Sequence, residues 1–366
     1  MYDLNHVRGC LIGLAAGDAL GYGLEGLSLA ERVKQYPQGI WEYNTVNGYA
    51  EISANAQMAM FVSNGLMFGA TRGHTRGVMA PYVRYVQAAL QDWWKTQQFH
   101  SLRFGKRSYC WLNKIDLMHV RRGADPVCLD VLEGSRCGTL AQPINPAKGA
   151  GSLACCAPIG VFFDPAKTSR RETDRLGAET VALTHGSPMA FLPGAALVHL
   201  VGGAVYGSGS FLDLVKDTIA SLQRDFSTEF PQTQQVCEIL NRGLTLMDSD
   251  ASRQIIQLKL GGSSGAEVMA LAIYACLTSG GDFAKAIRTA VNVSAAPAVA
   301  GAVTGSLMGA ALGVERLPRE FTEPLELYGI MEELADDMFQ GCPMHADTLL
   351  FDEQWEQKYV HGEYDF

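Results

Sequence analysis

Twenty consecutive residues, Ala295 to Val314, carry no charge, and within them Gly301, Gly305 and Gly309 recur at every fourth position. Residues four apart share one helical face, so the run predicts a helix with a stripe bare of side chains, which lets another backbone approach closely. The run is long enough to cross a bilayer. It is only weakly apolar, however, being built largely of Ala and Gly with Pro297 near its start, and nothing else in the chain looks like a partner span. It reads as the core helix of a soluble protein. The segment CLIGLAAG after Arg8 resembles the centre of a signal peptide, but it is short, follows Asp3 and runs directly into Asp18, so it too reads as a buried helix.

Helical periodicity recurs along the chain and strand alternation is nearly absent. Helices are expected at about 5–20, 28–36, 56–69, 76–97, 126–133, 149–161, 171–184, 187–205, 209–225, 232–248, 265–279, 282–291, 297–313 and 324–340. Turn-rich stretches such as YPQGIWEYNTVNGY and GTLAQPINPAKGAG supply loops. With 48% hydrophobic and 18% charged residues over 366 positions, the chain can bury a deep core. No linker or internal repeat divides it. The expectation is one all-α domain over residues 1–366, a helical bundle around a central core.

The net charge of −9, with Lys and Arg scattered among acids, carries no nucleic-acid footprint and no polybasic membrane surface. A small-molecule ligand, or a protein partner, fits better. Nine cysteines occur without CxxC pairs or a His/Cys metal pattern, which predicts free, buried thiols and a cytoplasmic protein. Cys155 and Cys156 are adjacent, too close for an ordinary structural disulfide. A monomer is the default for a helical protein of this size.

Chemistry is sought where glycine-rich turns meet helix starts, because backbone N–H groups and short side chains meet ligands there. Four segments qualify. RGCLIGLAAGDALGYGLEGLS carries Asp18, Tyr22 and Glu25; EISANAQMAM offers Ser53 as an N-cap, followed by Met58, Phe61, Val62 and Leu66 on one face. KGAGSLACCAPIG carries Gly149, Gly151, Ser152 and Cys155, and VNVSAAPAVAGAVTGSLMGAALG holds the glycine stripe. At the second segment Ala54 and Ala56 flank a lone Asn55, where helix entrances in enzymes often place Asp or Thr. Asn292 and Ser294 are expected as caps.

In order along the chain, GCLIGLAAGDALG, SANAQM, APIG, ALTHGSP around His185, AEVMALAIY around Glu267 and AGAVTGSLMGAALG resemble the ADP-ribosylglycohydrolase family. That resemblance covers nearly the whole length. It implies an all-helical enzyme fold in which a pair of magnesium ions serves to cleave ADP-ribose from proteins or small acceptors. It also marks departures: the family's first metal-binding Asp falls on Ala54 and its Thr on Ala56. The family's D-x-D pair falls on Ala296 and Ala298, and the next Ser or Thr on Val299. A Met-Arg pair suited to holding phosphate becomes Ala154-Cys155. Magnesium demands an oxygen shell held by carboxylates, so no metal ligands, no magnesium pair and no other cofactor are expected. Pro297, Val299 and Cys155 are not changes a mutagenesis design would choose, which favours natural divergence over engineering.

Glu25 matches the glutamate that follows GDALG in relatives. In a pocket stripped of cations its pKa should rise, which suits a general acid; the plainer reading is a surface glutamate flanking a helix. Asp18 is expected to cap a turn or helix start. His185 is a second catalytic candidate, although a satisfied buried histidine is the commoner outcome. Cys155 is read as packing. Around these, Asp18, Tyr22, Ala54, Asn55, Ala56, Gly149, Gly151, Ser152, Cys155, Ala296, Ala298 and Val299 are expected to line a roomy, apolar pocket. Three roles follow: a divergent, metal-independent enzyme acting on a less charged small molecule; an inactive binder of ADP-ribose or a related nucleotide; or a structural recruit with an occluded pocket.

Overall fold

The computed structural model describes residues 3–77, 79–98, 108–134, 136–247, 249, 252–344 and 351–364. In chain order its helices are α1 (Leu4–Tyr22), α2 (Leu29–Gln35), α3 (Ala54–Arg76), α4 (Tyr82–Gln98), α5 (Pro126–Glu133), α6 (Ala157–Phe162), α7 (Arg170–Ala182) and α8 (Pro188–Tyr206). There follow α9 (Phe211–Phe226), α10 (Thr233–Met247), α11 (Arg253–Leu260), α12 (Gly265–Thr278), α13 (Phe283–Val293), α14 (Pro297–Leu312), α15 (Arg319–Thr322), α16 (Tyr328–Gln340) and α17 (Glu353–Glu356). One hydrophobic core runs through them from Val7 to Tyr359. The fold is all-α, as expected.

The glycine stripe of α14 meets a second stripe on α1. A Cβ placed on Gly305 would lie 1.9 Å from the Gly13 carbonyl oxygen, one on Gly301 2.0 Å from that of Gly17, and one on Gly309 1.8 Å from that of Gly9. The reverse positions are equally closed: a Cβ on Gly17 would lie 1.9 Å from the Gly301 oxygen, and one on Gly21 2.2 Å from the Pro297 oxygen. The two helices therefore run antiparallel in backbone contact, and no larger residue fits the seam without displacing one of them. This seam brings the end of α1 beside the start of α14. Glu25 thereby comes to face Ala298 at the start of α14.

Most expected helices form within a few residues of their expected bounds, and five differences have physical causes. Helix α3 extends to Arg76, where Gly77 terminates it with φ +64°. Helix α4 then starts after Pro81, not at 76, and position 78 lies outside the described residues. Residues 149–153 are not helical as expected: Gly149 bridges to Ser264 and a short 3₁₀ turn, Ala154–Cys156, leads into α6. Helix α11, capped by Ser252, was not anticipated, and position 248, the expected end of α10, lies outside the described residues. In the loop YPQGIWEYNTVNGY, Asn47 (φ 53°) and Gly48 (φ +87°) turn a small hairpin of Thr45–Val46 against Tyr49–Ala50.

Among the described residues one helix, α8, is long and apolar enough to span a membrane, and 78% of its apolar window is buried inside the fold. All nine cysteines are unpaired, and all but the half-buried Cys137 are buried.

Candidate functional site

The entrance of α3 is built as expected, with the Ser53 hydroxyl accepting from the Asn55 N–H at 3.1 Å. Its partner is Asp18. The carboxylate accepts from the Ser53 N–H at 2.6 Å, the Ser53 hydroxyl at 2.6 Å and the Asn55 side-chain amide at 3.2 Å. Asp18 thus stands inside α1, fully buried, and ties α1 to the mouth of α3. It serves the start of α3 and not an end of its own helix. Burial pushes its pKa up to about 6, against the pull of the Ser53 and Asn55 hydrogen bonds, while the nearby Glu25 charge raises it further.

Glu25 lies past the end of α1 and remains exposed. Its carboxylate accepts from the Ala298 N–H, in the first turn of α14, at 3.3 Å. Crowding by surrounding protein raises its pKa, and the Ala298 N–H and Arg32 oppose the rise. Arg32 in turn donates to the carbonyls of Leu27, at 3.0 Å, and Ser294, at 2.8 Å, anchoring the approach to α14. Ser294 caps the Ala296 N–H at 3.0 Å, as expected of it. Asn292 does not cap: from within α13 it accepts from the Ile40 N–H at 2.8 Å and donates to the Ile40 carbonyl at 3.0 Å.

The sequence reading missed the loop that joins the two halves of the site, Val120 to Pro126. The Arg122 carbonyl accepts from Ala54 N–H at 2.8 Å, and its buried guanidinium pairs with Glu326 and, at 3.3 Å, with Glu51. A Cβ on Gly123 would lie 3.4 Å from the Tyr22 ring and 3.7 Å from Glu25, and its φ is +66°. Two residues on, Asp125 caps α5 through Oδ1, accepting from Val127 N–H at 2.7 Å. Its Oδ2 faces His185 Nε2 at 3.6 Å. Gly-Ala-Asp-Pro, a turn followed by a cap and an N1 proline, was the available signal.

Around His185 the second half closes. Nδ1 lies 2.9 Å from Thr184 Oγ1 and 3.2 Å from Ser152 Oγ, and Gly149 and Gly151 pack against Asp125 and the imidazole edge. Cys155 Sγ donates to the Ser152 carbonyl at 3.1 Å. Its interaction with Cys156, together with burial, holds its thiol well above the ordinary range, in keeping with packing.

The residues expected to line a pocket differ in their exposure. Ala54, Ala56, Ala298, Val299, Cys155, Ser152, Asp18 and His185 are buried; solvent reaches Tyr22, Glu25, Gly149, Gly151 and Ala296. A groove of about 710 Å³ lies elsewhere and is lined by Trp41, Arg253, Tyr274, Lys285 and Arg288 among others.

The donors at the first cluster do not fit a magnesium pair. Both Asp18 oxygens already accept from Ser53 or Asn55, Glu25 is bound to a backbone N–H, and positions 54, 56, 296, 298 and 299 offer no side-chain oxygen.

The family model described as ADP-ribosylglycohydrolase matches residues 2–348. No curated protein matches the chain. Among solved structures, a chain described as "ADP-ribosylglycohydrolase-related protein complex" is similar at 20% identity, covering 92% of this chain and 98% of its own, with a TM-score of 0.58, a likeness of fold. With the family match spanning nearly all of the chain, the protein belongs to the ADP-ribosylglycohydrolase family.

Proposed function

We propose that the protein is a divergent ADP-ribosylglycohydrolase that works without the family's magnesium pair, on a small molecule less charged than ADP-ribose, with Glu25 as proton donor. The observation that carries this reading is Glu25 itself: a solvent-reaching carboxyl of raised pKa, oriented by the Ala298 N–H and bordered by Tyr22 and Gly123. A carboxyl shifted upward keeps more of its proton near neutral pH and so serves better as a general acid. Glu25→Gln keeps the shape and removes the proton donor. Native mass spectrometry of the purified protein should reveal a co-purified small molecule. With that compound as substrate, Glu25→Gln should lose turnover while its stability stays within about 1 kcal/mol of wild type. Full activity in the variant would remove Glu25 from the mechanism.

One observation favours a second reading, the structural recruit: of the positions where metal ligands would stand, Ala54, Ala56, Ala298 and Val299 are buried, and only Ala296 is reached by solvent. Under that reading no compound co-purifies. The nucleotide-binding alternative predicts a large rise in melting temperature with micromolar ADP-ribose, whereas the divergent enzyme predicts little or none.

A further inference from the structure

We propose that Asp125, Cys128 and His185 form a three-ligand site for a divalent ion of the zinc class, at the opposite half of the site from Asp18. This inference is independent of the proposed function. One carboxylate oxygen, the thiol sulfur and one ring nitrogen lie within 4.8 Å of one another. Zinc holds such donors at about 2.0–2.3 Å, so these side chains would need to move inward by about 1 Å or less.

The observation that points to a ligand is His185 Nε2. The residue is fully buried, yet this nitrogen has no hydrogen-bond partner, and the group facing it is Asp125 Oδ2 at 3.6 Å, beyond hydrogen-bond length. The opposite nitrogen is held: Nδ1 sits against Thr184 Oγ1 and Ser152 Oγ. With Nδ1–H donating there, the Nε2 lone pair points at the gap, which is how outer partners orient a ligating histidine. Asp125 is divided in the same way, with Oδ1 capping α5 and Oδ2 turned to the gap. Among the described residues no Lys or Arg pairs with it, and the group it faces is the His185 ring. Cys128, three residues further on, brings the thiol from the first turn of the same helix.

The surroundings leave an opening. A Cβ on Gly149 would stand 3.6 Å from His185 Nε2 and 3.9 Å from Asp125 Oδ2, and one on Gly151 would overlap the Asp125 carboxylate at 2.2 Å. Glycine at 151 is what lets the Asp125 carboxylate approach this stretch of backbone, whereas position 149 makes only ordinary contacts. The half-buried Asp125 gives a path from solvent. An imidazole, a thiolate and a carboxylate suit zinc or cobalt and are a poor set for magnesium. Carboxylate and thiolate together balance the ion's charge, and the proton leaving Cys128 goes to bulk water. Three protein donors leave one tetrahedral position for a water or a ligand oxygen.

The test uses the full-length protein, reduced and stripped with chelator, titrated with zinc chloride in a calorimeter and with cobalt chloride in a spectrophotometer. One zinc ion per chain should bind in the micromolar range or tighter, and cobalt should give a tetrahedral visible spectrum with a thiolate charge-transfer band. Cys128→Ser should abolish that band, and Asp125→Asn, which keeps the α5 cap, and His185→Gln should each weaken zinc binding by tenfold or more. Asp125→Asn serves as the conservative control should His185→Gln fail to fold. Absence of stoichiometric binding would leave a simple Asp125–His185 ion pair and overturn the proposal. So would binding unchanged in Asp125→Asn and Cys128→Ser, which would place the ion on other thiols.

Discussion

Two polar clusters flank the loop from Arg122 to Asp125, and they have met the same problem in opposite ways. Around Asp18 every donor is matched inside the protein: Ser53 and Asn55 saturate the carboxylate, and the alanines beside them are packed over. Around His185 a buried ring nitrogen has no hydrogen-bond partner and faces the Asp125 carboxylate at 3.6 Å. A buried polar group without a partner is costly, so the first arrangement is at rest and the second is waiting for something. At the entrance of α3 the cap residue and its neighbour absorb the Asp18 carboxylate.

The strongest way to break this contrast is to put carboxylates back. Aspartate at 54, 296 and 298 together would place charges where Ala54 and Ala298 are 2% exposed. In chelator the variant should be destabilised by on the order of 5 kcal/mol, and magnesium should regain part of the loss. A melting temperature indifferent to magnesium would show that the frame no longer supports the ions. Next in size, Asp18→Ala strips acceptors from the Ser53 N–H, the Ser53 hydroxyl and the Asn55 amide, and should cost about 3 kcal/mol in denaturant unfolding. An effect below about 1 kcal/mol would mean that water replaces the carboxylate and that the cluster is open.

The pH dependence of Asp18 sharpens the same point. Its folded pKa, about 6, lies above the ordinary 3.8, so the folded state binds more protons between those values. Its contribution is therefore fully present below about pH 4 and is lost as pH rises through about 6. Against Asp18→Asn, which does not titrate, wild-type unfolding free energy should fall by about 3 kcal/mol between about pH 4 and pH 7. A flat difference would mean that the hydrogen bonds outweigh burial. The smallest effect is the one on Glu25, whose exposure keeps the stability change in Glu25→Gln under about 1 kcal/mol.

Much of the frame was legible because it is local. Ser53 announces its cap, Asp125-Pro126 starts α5 where periodicity put it, and the stripe Gly301, Gly305, Gly309 signals a close backbone. The matching stripe Gly9, Gly13, Gly17, Gly21 carried the same four-residue spacing and could have been paired with it. The role of Asp18 was not legible, since a helix-interior aspartate serving another helix's entrance leaves no local pattern. Residues 149–153, Gly-Ala-Gly-Ser-Leu, stay out of the helix because two glycines stand among them, Gly149 bridges to Ser264 and residues 151–153 form a turn. The second cluster was half visible as Asp-x-x-Cys at a helix start. Its third member, His185, lies far along the chain, and only folding brings it there.

The most direct measurement melts one preparation of wild-type protein, reduced and stripped of metal, in parallel titrations with magnesium and with zinc. Stabilisation reports preferential binding to the folded state, so the two clusters answer separately. The account predicts no shift with millimolar magnesium and a rise of a few degrees with zinc near 100 times its dissociation constant. A rise with magnesium would contradict the closed reading of the Asp18 cluster, and a curve unmoved by zinc would contradict the open reading of His185.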